Sequence, residues 1–427
     1  MKLDELQIEN YRMFEKVEVA FDGQLNLIVG ANGAGKSSLL RAIATSLWES
    51  VRFLAQKADI ANPIDHEDVR FVMELVGTRV RFEQRLPTSL SIRFTFDGKP
   101  VVVKERRSTT EHNLSEGNNT LDSKSRERII RLEEDLVLPF VAFYGPKRNT
   151  KSSAPSIEEA VSERISRRHG YEGWFEAMTD IDRLQNWVIG KTLERLQCVS
   201  ELGPAYSAQA EDELEVVNSV LKNVFPGSEG LRFDLRLRSL MVEFRDGKLL
   251  PFASLSDGQK GVVALLADIC RRMVIMNPQL GMDAPRKTPG ILMVDELDIH
   301  LHPGWQRMIL RLLLESFPML QIFASAHSPQ MIGGVNPNQV LLLVDGAVMH
   351  PEVTYGLDAS RVLEEIMNVE SREREVDEAI SLIFKDIENR NLDSAKKRIK
   401  TLKSSAPELP EYAQAEAMIR RLETVGR

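Results

Sequence analysis

The stretch Leu25-Asn26-Leu27-Ile28-Val29-Gly30-Ala31-Asn32-Gly33-Ala34-Gly35-Lys36-Ser37-Ser38 decides how the chain is read. An apolar run enters a glycine-rich turn that fits the phosphate-loop pattern G-x-x-x-x-G-K-[ST] without substitution. Glycine lets the backbone turn tightly enough to aim successive N–H groups at phosphate oxygens. A helix starting near Ser37 turns its positive end toward the same charge. Asn32, Gly33, Ala34, Gly35 and Ser38 are therefore candidate nucleotide contacts, with Lys36 reaching the β- and γ-phosphates and Ser37 ligating Mg²⁺. Beyond the loop, Leu39, Leu40, Ile43, Ala44 and Leu47 recur at helical spacing and supply that helix with a buried face.

Upstream, short apolar bursts from Leu3 to Phe21 and the turn Asp22-Gly23 predict two antiparallel strands leading into the loop strand. Downstream, alternation over Val69–Leu75, Arg79–Glu83 and Ser91–Phe96 predicts an antiparallel sheet with one solvated face. Residues from about 104 to 130 are polar and mixed in charge, which predicts a solvated loop or surface helix. The apolar run Leu136–Tyr144 predicts a buried strand feeding a turn at Gly145-Pro146-Lys147-Arg148. From Ser156 to about Leu221 the pattern is helical and charged, and strand patterning resumes at Leu231–Arg236 and Leu240–Phe244 to return the chain to the core.

The 427 residues carry 55 Lys and Arg against 63 Asp and Glu, a net charge of −8, so global attraction to nucleic acid is not expected and only local basic patches could serve it. The two cysteines, Cys198 and Cys270, have no C-x-x-C spacing and suit a reducing compartment. Met1-Lys2-Leu3-Asp4-Glu5 is too charged for a secretion signal, and no window approaches the roughly 18 apolar residues of a membrane span. The expectation is a soluble, cytoplasmic protein with no membrane partner.

Three further motifs follow in order. Leu255-Ser256-Asp257-Gly258-Gln259-Lys260 opens an apolar helix; read alone, Ser256-Asp257-Gly258 is equally an ordinary N-cap and turn. Ile291-Leu292-Met293-Val294-Asp295-Glu296 is an apolar strand ending in two acids, a pattern that elsewhere is often only helix N-terminal charge. Leu320–Ala326 is a buried strand that ends in His327-Ser328-Pro329. His300 and His302 also invite a metal reading, which the motif context outweighs.

Taken together, these motifs resemble the ATP-binding-cassette (ABC) ATPases, whose signature is usually written L-S-G-G-Q; here Asp257 replaces a glycine. Their order resembles the SMC/RecF/OLD branch rather than transporters. Within that branch the chain is most similar to the stand-alone ATPases of the PtuA type, from Septu and retron-linked anti-phage systems. The segments Phe143-Tyr144-Gly145 with Arg148, Ser166–Tyr171 leading to Trp187, and Leu301-His302-Pro303-Gly304-Trp305-Gln306 carry the closer likeness.

The resemblance implies an α/β, two-lobed ABC ATPase head, a P-loop mixed sheet plus an antiparallel sheet, with a helical insertion and a helical C-terminal tail. It implies lobes over 1–155 and 231–355, the insertion over 156–230 and the tail over 356–427. ATP and Mg²⁺ are the implied cofactors. Asp295 would hold the Mg²⁺ shell, Glu296 would polarise the attacking water and His327 would contact the γ-phosphate. Ser256, Asp257, Gly258 and Gln259 would bind the phosphate held by the other subunit of a head-to-tail homodimer. The glutamine-bearing loop of the family has only Gln84 as a weak counterpart, with the Tyr144–Arg148 turn as a substitute. The implied function is an ATP-hydrolysing regulatory subunit of an anti-phage complex that controls a separate HNH nuclease. The alternative is a RecF-like clamp on nucleic acid, with Arg106, Arg107, Arg164, Arg167 and Arg168 as contacts. The tail reads as amphipathic helices carrying Ala379, Ile380, Ile399, Ala413, Ala417 and Ile419, which either pack on the chain's own core or dock a partner. Its run Lys396, Lys397, Arg398 and Lys400 reads as a solvated face.

Overall fold

The computed structural model describes residues 1–55, 64–76, 79–109, 115–146, 166–177, 181–203, 212–225, 227–367, 369 and 373–425. The chain opens with the antiparallel pair β1 (Lys2–Tyr11) and β2 (Phe14–Ala20), followed by β3 (Leu25–Gly30) and α1 (Lys36–Ala55). β4 (Arg70–Val76) and β5 (Arg79–Arg85) form a hairpin of their own. β6 (Thr88–Phe96), β7 (Lys99–Arg107) and β8 (Ser115–Asn119) return to β1 and complete a five-stranded antiparallel sheet of order β2-β1-β6-β7-β8. The segment expected as a loop or helix from 104 onward therefore begins as a strand. Glu105 and Arg107 point inward because β7 keeps its alternation against β6, which outweighs their polarity. A surface helix does follow, α2 (Ser123–Arg131), capped by Asp122.

β9 (Phe140–Tyr144) precedes α3 (Ile181–Leu202) and α4 (Glu213–Val224). β10 (Ser228–Asp234), β11 (Ser239–Phe244) and β12 (Leu249–Pro251) make a separate three-stranded sheet, so this segment does not rejoin the core sheet as expected. Asn218 of α4 holds β10 instead: its amide bonds the N–H and C=O of Leu231 at 2.8 and 3.2 Å.

The core sheet is completed by β13 (Gly290–Val294), β14 (Leu320–Ser325), β15 (Val340–Val344) and β16 (Ala347–Met349), in the order β16-β15-β3-β14-β13-β9. All but the edge strand β16 are parallel. β3, β13 and β14 are buried throughout, which is why they read as mainly apolar runs rather than as alternation. α5 (Asp257–Met276), α6 (Pro303–Ser316) and α7 (Pro329–Ile332) supply the intervening helices. The two large sheets are stitched by Gln321, which is buried in β14. Its Oε1 accepts from the Leu3 N–H at 2.7 Å, and its Nε2 donates to the carbonyls of Leu3 and Asp22 at 2.9 and 2.7 Å. On α1 the predicted apolar face is buried, each large side chain contributing about 1.5–3 kcal/mol.

One buried charge network fastens α5 to the edge of the core sheet. Asp268 accepts from the Tyr144 hydroxyl at 2.7 Å, from Arg272 at 2.8 Å and from Arg271 at 2.6 Å, and Arg272 reaches on to the carbonyls of Gly170 and Glu172. Burial alone would raise the Asp268 carboxyl, but the two guanidinium groups outweigh it and hold it well below the usual carboxylate range. The Ser166–Tyr171 segment belongs to the same fastening. A Cβ on Gly170 would fall 2.2 Å from the Met276 side chain, and the Tyr171 hydroxyl donates to the Pro139 carbonyl at 2.7 Å.

Residues Met1–Leu357 form one compact unit and Asp358–Arg427 another. In the second, α8 (Arg374–Glu388), α9 (Leu392–Ser405) and α10 (Glu411–Val425) enclose a small core with Ile383, Ile387, Ile399 and Ile419. Ala413 and Ala417, expected on the buried face, are exposed. The register of α10 is set by Tyr412, Ala415 and Ile419, and the Tyr412 hydroxyl donates to the Ala406 carbonyl at 2.7 Å. The basic run on α9 is solvated, as expected, with Lys396 and Arg398 paired to Glu423 and Asp386. Among the described residues no helix is long and apolar enough to cross a membrane.

Candidate functional site

The register of the core sheet gathers the motifs. Val294 lies opposite both Ala324 and Tyr144, and Ser325 lies opposite Ile28. The phosphate loop, the Asp295-Glu296 pair, His327 and the Tyr144-Gly145 turn therefore all leave the sheet at its carboxyl edge, where parallel sheets bind ligands. Asp295 is tied to that turn directly, its N–H donating to the Tyr144 carbonyl at 2.8 Å. Gln84 lies elsewhere, on β5, with its amide 3.0 Å from the His66 ring.

In the phosphate loop Gly33 and Gly35 take φ of +81° and +99°. A Cβ on Gly35 would meet the Met13 sulfur at 2.2 Å, so the turn between β1 and β2 covers the loop. Lys36 is buried, and its Nζ donates to the carbonyls of Gly30 and Ala31 at 2.9 Å each. Burial lowers its proton affinity, while Asp295, Glu296 and Asp298 pull the other way. Asn32, Gly33 and Ser37 are exposed, while Ala34, Gly35 and Ser38 are half-buried.

Asp295 is buried, and its Oδ1 accepts from the Ser325 hydroxyl at 2.5 Å; the same hydroxyl accepts the Glu296 N–H at 2.7 Å. Ser325 thus holds both acids. Glu296 sits at φ +49°, an uncommon conformation for a residue with a side chain, and residues in such positions cluster at active sites. His327 is half-buried, with its N–H donated to Asp298 Oδ2 at 2.9 Å.

Ser256 caps α5 reciprocally with Gln259: the Ser256 N–H donates to Gln259 Oε1 at 3.1 Å, and Ser256 Oγ accepts the Gln259 N–H. Ser256 and Asp257 are exposed, and a Cβ on Gly258 would fall 2.4 Å from the His300 carbonyl oxygen. The signature turn consequently rests on the loop that follows Glu296. His302 caps α6, its Nδ1 accepting the Gly304 N–H at 3.3 Å.

Sequence reading missed Ser325, Asp298 and the Arg12-Met13 turn. Arg12 takes φ +50°, and its guanidinium bonds fully buried Asp68 at 2.7 Å, which also receives Arg41 of α1 at 3.2 Å. The break in strand patterning at Asn10–Met13, between the two opening strands, was the available signal. Three of the proposed nucleic-acid contacts are engaged internally. Arg107 donates to the Ile64 carbonyl, Arg167 to the carbonyls of Met276, Glu133 and Leu136, and Arg168 to those of Ile129 and Ile130. Arg106 is exposed, and Lys147, Arg148 and Arg164 lie outside the described residues.

Residues 25–332 match the family model described as "AAA domain, putative AbiEii toxin, Type IV TA system". The chain is 24% identical to "Retron Ec83 probable ATPase" of Escherichia coli, covering 87% of this chain and 77% of that protein. It is 23% identical to "Retron Vc95 probable ATPase" of Vibrio cholerae serotype O1 biovar El Tor, over 80% and 73%. A shorter stretch, 25% of this chain and 14% of that protein, is 34% identical to "Septu protein PtuA" of Bacillus mycoides.

Proposed function

Because the chain belongs to this AAA-domain family and is an ATPase, we propose that it is the ATP-hydrolysing regulatory subunit of an anti-phage defence complex, dimerising head to tail around ATP and controlling a separate HNH nuclease. The observation that carries the nucleotide chemistry is the convergence of the phosphate loop, the Ser325-held acid pair and His327 on one sheet edge. The defence role rests on the likeness to the retron and Septu proteins.

In this reading the loop N–H groups and Lys36 bind the phosphates, and Lys36 exchanges its two carbonyl partners for them. The Ser37 hydroxyl and the Asp295 carboxylate are hard oxygen donors that fit Mg²⁺, with Asp295 already oriented by Ser325. When bound, Mg²⁺ neutralises charge on the phosphates. Glu296 orients the attacking water and His327 faces the γ-phosphate. Exposed Ser256 and Asp257, with Gly258 and Gln259 behind them, cap the partner subunit's nucleotide through a helix N-terminus.

Two experiments test the proposal. Glu296→Gln should trap an ATP-bound dimer on size exclusion while phosphate release falls; release equal to the parent's would remove the assignment. Co-expression with the neighbouring genes should recover a nuclease in stoichiometric amount, lost when residues 371–427 are deleted. Recovery of the ATPase alone would overturn the regulatory role. The clamp reading is weakened by the internal use of Arg107, Arg167 and Arg168.

A further inference from the structure

The motif Leu301-His302-Pro303-Gly304-Trp305-Gln306 has no part in the chemistry above, yet its last residue lies at the crossing of two loops of the site. Gln306 stands in the first turn of α6, its N–H donating to the His302 carbonyl at 3.1 Å. One end of its side-chain amide grips the loop after β13: Nε2 donates to the carbonyls of Leu301 at 3.0 Å and Asp298 at 3.3 Å. The other end grips the loop after β14: Oε1 accepts from the Ser328 hydroxyl at 2.8 Å. Both amide hydrogens and the carbonyl oxygen are thus occupied, so only a primary amide of about this length serves all three bonds.

Two neighbouring bonds run in the same direction. Asp298, whose carbonyl Gln306 holds, accepts the His327 N–H through its carboxylate at 2.9 Å. Arg307, next to Gln306, donates to the Gln330 side chain at 2.6 Å, and the Gln330 N–H donates to Ser328 Oγ at 3.2 Å. The His327 N–H is therefore tied to Asp298, and the side chain of the next residue, Ser328, to Gln306.

We propose that Gln306 is a positioning residue for ATP hydrolysis, locking the His327-Ser328 turn to the loop that carries Asp295 and Glu296 so that histidine and glutamate keep one spacing. The inference rests on the reading of His327 given above. Gln306 touches no phosphate in this account; it acts on the turnover step and leaves nucleotide binding to the loop at Lys36. An ångström of slack between such groups costs up to about a hundredfold in rate.

The test is steady-state ATP hydrolysis by the full chain carrying Gln306→Leu, His327→Ala or both, with Gln306→Glu as a second variant that keeps the Ser328 bond and loses the amide donors. Expected are a fall in kcat of roughly tenfold or more for Q306L, KM for ATP within about twofold of the parent, an intermediate rate for Q306E, and a double variant no slower than H327A, as coupled residues require. Full, independent losses in the double variant, or a KM that rises in step with the loss of kcat, would show a merely structural role and overturn the proposal. H327A slow with Q306L at the parental rate removes the inference alone. H327A at the parental rate removes the reading of His327 and the inference with it.

Discussion

Two loops at the same edge of the core sheet are built in opposite ways. The phosphate loop, Gly30–Ser38, is a backbone device: Gly33 and Gly35 adopt positive φ, and its one buried polar side chain, Lys36, is held by two of the loop's own carbonyls. The loop after β13 is a side-chain device, with Asp295 and Glu296 held by Ser325 from the next strand and Asp298 and Leu301 held by Gln306 from the next helix. The first needs little beyond its own sequence to take shape. The second takes shape only when strand, helix and loop are already packed.

The largest effect should come from Lys36→Ala, which removes the one cation the loop offers; ATP hydrolysis should fall about a hundred- to thousandfold with little change in thermal stability. A large drop in melting temperature would mean that the first loop is also a structural mesh. Ser325→Ala attacks the second loop. It leaves the half-buried Glu296 N–H and one oxygen of buried Asp295 without that hydroxyl, at about 1–3 kcal/mol of stability, and it should slow hydrolysis as well, measured by denaturant melts and phosphate release together. Gly258→Ala presses a methyl group onto the His300 carbonyl and should cost about 1–3 kcal/mol, readable in the same melts.

A pH series separates stability from both loops. Among the described residues neither oxygen of buried Glu105 has a hydrogen-bond partner, and burial, with Glu49 adding, pushes its carboxyl up to about 8. The unfolded chain releases that proton near the ordinary carboxyl value, so between there and about pH 8 the folded state holds one more proton. Stability contributed here falls as pH rises, by about 1.4 kcal/mol per unit, and levels off above pH 8. Glu105→Gln should flatten that slope while leaving hydrolysis at pH 7 unchanged; an unchanged slope would place the titration elsewhere. The smallest effect is expected from Gly33→Ala. A Cβ there meets none of the described residues within 4 Å, and its positive φ resists the change, at about 1–2 kcal/mol in a melt.

Legibility followed the range of the forces involved. Periodicity exposed β1, β2, the parallel core strands, the α1 face and the tail helices, because each depends on residues a few positions apart. It failed at β7, where pairing with β6 carries Glu105 and Arg107 inside, and at β10–β12, whose short strands close on α4 rather than on the core. The clamp alternative gave Arg107, Arg167 and Arg168 to nucleic acid, although each donates to carbonyls of the chain itself.

The sequence by itself determined the phosphate loop, the order of the motifs after it and the acid pair at a strand end, because glycine torsions and apolar runs are local properties of the chain. Only the tertiary structure decided that Ser325 would serve both acids, that Met13 would cover Gly35 and that Gln306 would join two loops. Those contacts depend on parallel register and helix placement. A hydroxyl or an amide has no pattern in sequence that names its partner before the sheet sets them side by side.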